Sequence, residues 1–394
     1  MRIAIVVPHI FMHREILPQV IFSPGRLALD LAEGLQDLGA EVTLFTPGPV
    51  RTRVQNITAD LSYFERELAG RGDSYIDLLK KHPLTFITLA RQVQSELVAR
   101  AYAMANAGSY DVVHIYTNEE DIALPYVRLC SRPVLFTHHD PFNFLVKYKN
   151  VFPKYAGLNW ISMSLAQRTG MPAETNWIGN VYHGLRADEL QFEAHPRVRR
   201  VAYLGRIIEP KGLHLAIAAV RAFNASVGSN QRLVLRVAGK HYAGAKDAYW
   251  QGRIVPELGA DVEYIGFVRT AAEKQAFLGS AQALVVPSTF EEPFGMVMIE
   301  ALACGTPVIG LGSGAIPEVV RDGVTGKVVK KVRGDDGRID EVGTAKGLVE
   351  ALGMIDTFDR RACRAEFESR FTLGHMARAH LDIYKNVVPK TGVE

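Results

Sequence analysis

The sequence predicts two doubly wound α/β domains, each built on a parallel sheet. Three observations carry that expectation. Short, nearly continuous apolar runs recur through both halves of the chain, as strands covered on both faces require. Helical patterns alternate with these runs, which is the order that sets parallel strands side by side through crossover helices. The 394 residues also exceed one ordinary core, since domains run to roughly 100–200 residues.

In the first half the strands are expected at Ile3–Val7, Val42–Thr46, Val112–Tyr116, Val134–His138 and Trp160–Met163. In the second they are expected at Val201–Leu204, Leu233–Ala238, Val262–Phe267, Leu284–Pro287 and Val308–Leu311. The first helix has Ser23 as its cap, Pro24 in its first position, and Leu27, Leu31, Leu35 and Leu38 on one face, and it ends at Gly39. Leu213, Ile217 and Val220 repeat the pattern after Gly212. Residues 50–100 read as a long, mostly helical stretch, and 332–341 as an exposed loop. The polar segment Val181–Arg199, with His183-Gly184 and Pro196, reads as a linker between a first domain at residues 1–185 and a second at 198–372. A last helix has Leu373, Met376, Leu381, Tyr384 and Val388 on one side.

Composition narrows the class. Hydrophobic residues make up 48% and charged residues 22%, which is a globular balance. A net charge of +3 is too mild for a nucleic-acid partner, while contact with anionic ligands or a membrane surface stays open. Cys130, Cys304 and Cys363 are scattered and odd in number, so free thiols in a reducing compartment are expected. The N-terminal run MRIAIVVPHI is short for a signal peptide and is broken by Pro8 and His9. No apolar run approaches the ~18–20 residues that span a bilayer. A cytoplasmic location is the expectation.

The chemistry concentrates in the second half. Gly205-Arg206-Ile207-Ile208-Glu209-Pro210-Lys211-Gly212 follows a strand and precedes a helix, where open α/β sheets collect ligands. Two cations, flexible glycines and a helix N-terminus suit a diphosphate. Taken alone, the octapeptide reads equally well as a solvated basic turn. Pro287–Gly295 again follows a strand, with Glu292 in the loop and Glu300 on the second turn of the next helix. Such carboxylates accept hydrogen bonds from sugar and ribose hydroxyls. Singly, each reads as a loop acid or a helix-surface acid.

Together, Gly205-Arg206 with Lys211-Gly212, Glu292-Pro293-Phe294-Gly295 with Glu300-Ala301, Cys304-Gly305-Thr306-Pro307-Val308, Pro317-Glu318-Val319-Val320 and Gly323-Val324-Thr325-Gly326 resemble the donor half of family 4 glycosyltransferases, the group 1 glycosyl transferases. Glu292 and Glu300 meet the family's Glu-x7-Glu pattern. The resemblance implies the GT-B architecture, two Rossmann-like domains facing across a cleft, with a final helix (373–390) returning to the N-terminal, acceptor-side domain. It implies that Arg206 and Lys211 bind the donor diphosphate and stabilise the leaving nucleotide. Glu300 would hold the ribose hydroxyls. Glu292, with the backbone of Phe294 and Gly295, would hold hydroxyls of the transferred sugar.

In the first half, Thr137-His138-His139-Asp140 resembles the family's Thr-x-His motif, with His139 rather than His138 as the histidine that contacts the donor sugar. Without the second half it reads as a loop histidine satisfied by Asp140. His114 matches a family position and reads as structural. The family often has a Gly-Gly pair before the first helix. Phe22-Ser23 stands there instead, followed by Gly25 and Arg26. Ser23, Gly25 and Arg26 are the remaining candidates for a phosphate-binding first loop. Phe142–Tyr155 interleaves aromatics with Lys147, Lys149 and Lys154. That stretch reads mainly as packing on its own domain, with sugar stacking or a membrane interface as the other readings.

No Asp-x-Asp occurs, so no metal and no cofactor is expected, and Arg206, Lys211 and helix dipoles would carry the diphosphate charge. The function implied is a retaining transfer of a hexose-type sugar from a nucleotide sugar, UDP-linked by preference, to a sugar, lipid-linked or small-molecule hydroxyl acceptor. The transfer would pass through an oxocarbenium-like state without a protein nucleophile. The alternatives are a same-fold sugar-nucleotide epimerase or phosphorylase, and a non-catalytic nucleotide-sugar-binding protein.

Overall fold

The computed structural model describes residues 1–20, 22–196, 198–241 and 247–389. The chain divides into two units. The first holds Met1–Met163, Arg168–Tyr182 and the chain from Leu373 on, and the second holds Ser164–Gln167 and His183–Thr372.

The first unit is a seven-stranded sheet of β1 (Arg2–Val6), β2 (Glu41–Thr46), β3 (Gln55–Thr58), β4 (Val112–Tyr116), β5 (Val134–Thr137), β6 (Asn159–Ser162) and β7 (Trp177–Asn180). The order is β3-β2-β1-β4-β5-β6-β7, and every pairing is parallel. Strand order therefore reverses between β1 and β4. The helices are α1 (Ser23–Asp37), α2 (Ser62–Arg71), α3 (Tyr75–Lys81), α4 (Pro83–Asn106) and α5 (Val146–Val151). All five β4 residues are buried, including His114, whose Nδ1 lies 2.7 Å from Tyr384 Oη and whose Nε2 lies 2.9 Å from Thr137 Oγ1. That is the structural role its sequence position suggested. The final helix, Leu373–Val387, buries Leu373, Met376, Leu381 and Tyr384. At Gly34 of α1 a Cβ would stand 3.1 Å from Ala377 Cβ and from Leu373 Cδ1, so α1 and the final helix pack closely.

The second unit is a six-stranded parallel sheet of β8 (Arg200–Leu204), β9 (Val234–Ala238), β10 (Val262–Tyr264), β11 (Ala283–Val286), β12 (Val308–Leu311) and β13 (Gly326–Val329). The order is β10-β9-β8-β11-β12-β13, so the reversal falls between β8 and β11. Its helices are α6 (Leu213–Ser226), α7 (Ala271–Gly279), α8 (Met296–Ala303), α9 (Ile316–Val319), α10 (Glu341–Leu352) and α11 (Arg360–Arg370), which makes the final helix α12. Val201, Leu235, Val285, Ile309 and Leu348 belong to one buried cluster between sheet and helices.

Four local expectations need correction. Ser23 does not cap α1. It is the first helical residue, the N-cap is Phe22, and no side chain caps that end. The Phe22 ring, 4.3 Å from the His9 ring, fixes the chain's entry and leaves Ser23 exposed. The strand expected over Val262–Phe267 stops at Tyr264, because Gly266 turns the chain at φ +82°. The sequence reading omits β3, β7 and β13, which all lie at sheet edges. The linker Val181–Arg199, apart from Arg197, which lies outside the described residues, is anchored rather than free. The Leu185 N–H donates to Phe371 O at 2.9 Å and Leu190 is buried. Arg364 and Arg360 donate to the carbonyls of Leu190 and Glu193 at 2.8 and 2.6 Å. Residues 388 and 389 follow the end of α12, and Lys390, expected in that helix, lies outside the described residues.

Candidate functional site

In the second unit the two segments singled out from the sequence emerge at the point where strand order reverses, one after β8 and one after β11. Open parallel sheets leave a crevice there, because neighbouring connections depart to opposite faces. The loop after β8 passes through a short turn, Glu209–Lys211, into α6. Gly212 sits at φ +70°, and a Cβ there would fall 2.0 Å from Pro287 O. Glycine lets the two loops touch. They are also tied by the Thr289 N–H, which donates to Pro210 O at 2.9 Å.

Lys211 Nζ donates to Glu292 Oε2 at 2.7 Å, and Ser288 Oγ donates to the same oxygen at 3.1 Å. The ammonium also lies 4.7 Å from the centre of the Phe290 ring. Glu292 is buried, so its charge depends on these partners. Arg206 is exposed, and no carboxylate pairs with it among the described residues. Its carbonyl accepts from the buried Tyr203 hydroxyl at 2.9 Å. Gly205 is held by its N–H bond to Ala238 O at 3.1 Å. Arg206 therefore has its backbone held while its exposed side chain carries no carboxylate partner among the described residues.

Gly295, at φ +88°, is the N-cap of α8, and it leads straight from the Glu292 loop into the helix. Pro293 O accepts from Ser164 Oγ at 2.7 Å. Phe294 is buried, with its ring 4.9 Å from His183. Glu300, on the second turn of α8, is buried and receives Lys274 Nζ of α7 on Oε1 at 2.6 Å. The N-terminus of α8 adds unbonded N–H groups and a partial positive charge to the same place.

A third loop, after β12, supports the Glu292 loop from behind. The Ala315 N–H donates to Glu292 O at 2.8 Å, and a Cβ on Gly314 would fall 2.2 Å from that carbonyl oxygen. The Gly314 N–H donates to Glu291 Oε2 at 2.5 Å, while Lys331 Nζ reaches Glu291 Oε1 at 2.7 Å and Ser313 Oγ at 3.0 Å. Burial pushes the Glu291 carboxyl up, but the Lys331 and Gly314 hydrogen bonds outweigh it and hold the group below its ordinary value. Lys274, Lys331 and Gly314 escaped the sequence reading. A signal existed for the last, since Gly312-Ser313-Gly314-Ala315 directly follows a recognisable strand. The two lysines gave none.

The first-unit candidates lie in the first turn of α1 and on the loop after β5. His138 is fully enclosed, with Nδ1 3.2 Å from both Glu120 oxygens. Burial pushes its pKa down to about 4 and pushes the Glu120 carboxyl well above its ordinary value. The His139 ring lies edge-on to Tyr116 at 4.5 Å. Asp140 accepts from Asn118 Nδ2 at 2.9 Å and from Tyr148 Oη at 3.3 Å. At the first loop, Ser23 is exposed, the Gly25 N–H is spent on Phe22 O at 3.2 Å, and Arg26 lies 3.6 Å from Asp30. The Phe22, His9 and Phe11 rings gather in front of α1, so this helix end presents an aromatic surface.

Comparison with known proteins places this arrangement. Residues 188–337 match the family described as glycosyl transferases group 1, and residues 24–171 match glycosyltransferase family 4. The chain is 32% identical over 203 residues to an alpha-maltose-1-phosphate synthase of Mycolicibacterium smegmatis, covering 48% of this chain and 48% of that protein. It thus spans about half the length of that relative. It is 28% identical over 298 residues to a phosphatidyl-myo-inositol mannosyltransferase of Mycobacterium leprae, covering 71% and 74%. Among solved structures, Anabaena HepE in complex with UDP and glucose superposes with a TM-score of 0.65 at 17% identity, over 98% of this chain and 100% of that one. Sucrose-phosphate synthase from Thermosynechococcus elongatus does so with 0.70 at 19%, over 98% of both. These two likenesses speak to fold. With both families matched in order along the chain, and two parallel-sheet α/β units beneath them, the chain belongs to the group 1 glycosyltransferases of the GT-B fold class.

Proposed function

We propose that the protein is a retaining, metal-independent glycosyltransferase that takes a hexose from a nucleotide sugar, UDP-linked in the first instance, and passes it to a hydroxyl acceptor in the cytoplasm. The observation that carries this reading is the convergence, at the second sheet's reversal point, of Arg206, the Lys211–Glu292 pair and the Glu300–Lys274 pair. The exposed Arg206 and the Lys211 ammonium are the diphosphate ligands. On arrival of the donor, Lys211 turns from Glu292 to the diphosphate, and Glu292, with the backbone of Phe294 and Gly295, takes hydroxyls of the sugar. Glu300 holds the ribose hydroxyls. His139 contacts the sugar from the acceptor side. The first loop contributes little to phosphate binding, because Gly25 N–H and Arg26 are already engaged.

With these groups in place the reaction needs no protein nucleophile. Arg206, Lys211 and the α8 N-terminus stabilise charge as it develops on the leaving diphosphate. The acceptor oxygen attacks the face from which the nucleotide departs, and the departing phosphate takes its proton. HepE was crystallised with UDP and glucose, which makes UDP-sugars the donors to try first.

The test is calorimetric titration of UDP, GDP, ADP and their common sugar conjugates, with and without EDTA. Selective binding of one nucleotide, unchanged by EDTA and lost in Lys211→Ala, is the expected result. Binding that needs a divalent cation would overturn the metal-independent mechanism, and failure to bind any nucleotide would remove the donor site altogether.

Lys274 adds a second expectation. It fixes one oxygen of Glu300 and leaves the other for the ribose. With whichever nucleotide binds, Lys274→Met should reduce the preference for the ribonucleotide over its 2′-deoxy analogue by about tenfold, the size of one charge-assisted hydrogen bond. Equal losses for both nucleotides would count against this role.

A further inference from the structure

The aromatic and basic stretch after β5 divides into two faces. Phe142, Tyr148 and Phe152 point inward and are buried in the first unit's core. Phe144, Leu145 and Val146 point outward and are 58, 40 and 74% exposed. A turn closed by the Phe144 N–H on Pro141 O at 3.0 Å sends them out at the start of α5. A second apolar arm lies at the start of α4, where Leu84 is 78% and Ile87 53% exposed. Ile87 and Leu84 stand one and two turns before Arg91, on the same helix face.

The two arms meet at a shared pair of carboxylates. Asp121 holds Arg91 of α4 at 2.9 Å and Lys147 of α5 at 3.0 Å. Glu119 holds the same two cations at 3.1 and 3.4 Å. Glu119 and Asp121 are paired with Arg91 and Lys147, and the segments that carry the arms add no acid. No Asp or Glu occurs from Leu78 to Ser95 or from Pro141 to Ala173. Lys80, Lys149 and Lys154 are exposed there, while Lys81 is paired with Asp73.

Contiguous exposed apolar side chains of this size mark an interaction surface. Apolar tips flanked by exposed lysines, with the acids at their base already paired, have the chemistry of an interfacial contact. The tips enter the boundary between headgroups and acyl chains, and the ammonium groups lie near lipid phosphates. Among the described residues no helix is long and apolar enough to cross a membrane, so the contact is with the surface. We propose that Phe144, Leu145 and Val146, with Leu84 and Ile87 and the lysines Lys80, Lys149 and Lys154, form a docking face for an anionic lipid bilayer. The face belongs to the first unit and does not depend on the donor assignment in the second.

Co-sedimentation of the full chain with vesicles tests it, using phosphatidylcholine alone or mixed with phosphatidylglycerol. The mixed vesicles are expected to bind the protein at least about tenfold more tightly, with affinity falling as salt rises. The double variant Phe144→Ser, Val146→Ser should reduce partition onto the mixed vesicles by at least about tenfold. The pair Lys149→Glu, Lys154→Glu should remove the preference for anionic lipid. All four positions are at the surface, and an unchanged thermal midpoint establishes that each variant is folded. The proposal is overturned if the wild-type chain ignores both vesicle types, if it binds both equally and without salt dependence, or if folded variants bind like wild type. It is also overturned if light scattering shows that the chain self-associates through this face and the serine variant makes it a monomer.

Discussion

Lys211→Ala and Arg206→Ala are each expected to lower turnover of the bound nucleotide sugar by about 10²–10³-fold, the cost of one electrostatic contact to charge that develops in the transition state. As the glycosidic bond breaks, negative charge gathers on the diphosphate, and a fixed cation nearby stabilises that state more than the ground state. Lys211 is the better shielded of the two, with a side chain only 19% exposed, so its charge is less screened by water. The free protein adds a sign test. Glu292 competes for Lys211, from which it is 2.7 Å away. Glu292→Gln should therefore bind free nucleoside diphosphate more tightly than wild type while turning over more slowly, because the sugar loses an anionic acceptor for its hydroxyls. Lys211→Ala should weaken both properties. Near-normal turnover in both cation variants would sink the assignment of the diphosphate site. A Glu292→Gln protein that loses nucleotide affinity as severely as Lys211→Ala would show that the pair does not compete with the ligand.

What the sequence makes visible follows from how each residue is held. Central strands are covered on both faces and have a neighbour on each side, so β1, β4, β8 and β11 read as continuous apolar runs. Edge strands carry no such demand. β3 is Gln-Asn-Ile-Thr, β7 contains Gly179 and Asn180, and β13 is followed by two lysines, so none stands out as a strand. The donor-side candidates were legible because the chain reaches them by short local paths, from strand to glycine-flanked loop to helix. Lys274 is different. It sits in an ordinary amphipathic helix, and its partner Glu300 is 26 residues away, brought to it only by the packing of α7 on α8. Lys331 likewise acquires its meaning from two loops that the fold brings to it. Ser23 illustrates the opposite failure. Its local signal for a helix cap is good, but with the Phe22 ring packed at a tilt against His9 the helix starts one residue earlier.

Acidification from pH 7 to 5.5 should destabilise the first unit, by up to roughly 1.4 kcal/mol per pH unit for each histidine that titrates only on unfolding. His9, His114 and His380 contribute, and burial lowers His13 as well. His114 is enclosed with both ring nitrogens in hydrogen bonds, and burial holds its pKa well below the ordinary value. His380 has Nδ1 2.9 Å from Met376 O, so that nitrogen donates, and burial pushes its pKa down to about 4. His9 accepts the Phe11 N–H on Nδ1 at 3.2 Å. Its pKa falls to about 3 through burial first and then through Lys147 and Arg91. Below the ordinary histidine value of 6.5 the unfolded chain takes up protons on these rings that the folded chain refuses. Stability is therefore present above that pH and is lost as pH falls toward the folded values. Glu120 and His138 act in opposite directions on acidification. The raised acid keeps a proton that the unfolded carboxylate releases, and the depressed imidazole refuses one that the unfolded ring binds. With total stabilities of ~5–15 kcal/mol, a loss of this size lowers the melting midpoint markedly. The loss should be localised. Amide exchange at pH 5.5 should accelerate in β4 and α12, which carry His114 and His380, more than in the second unit, where His214 is also shifted down by burial. A midpoint that does not move between pH 7 and 5.5, or exchange that accelerates equally in both units, would mean that these rings are not held neutral in the folded chain.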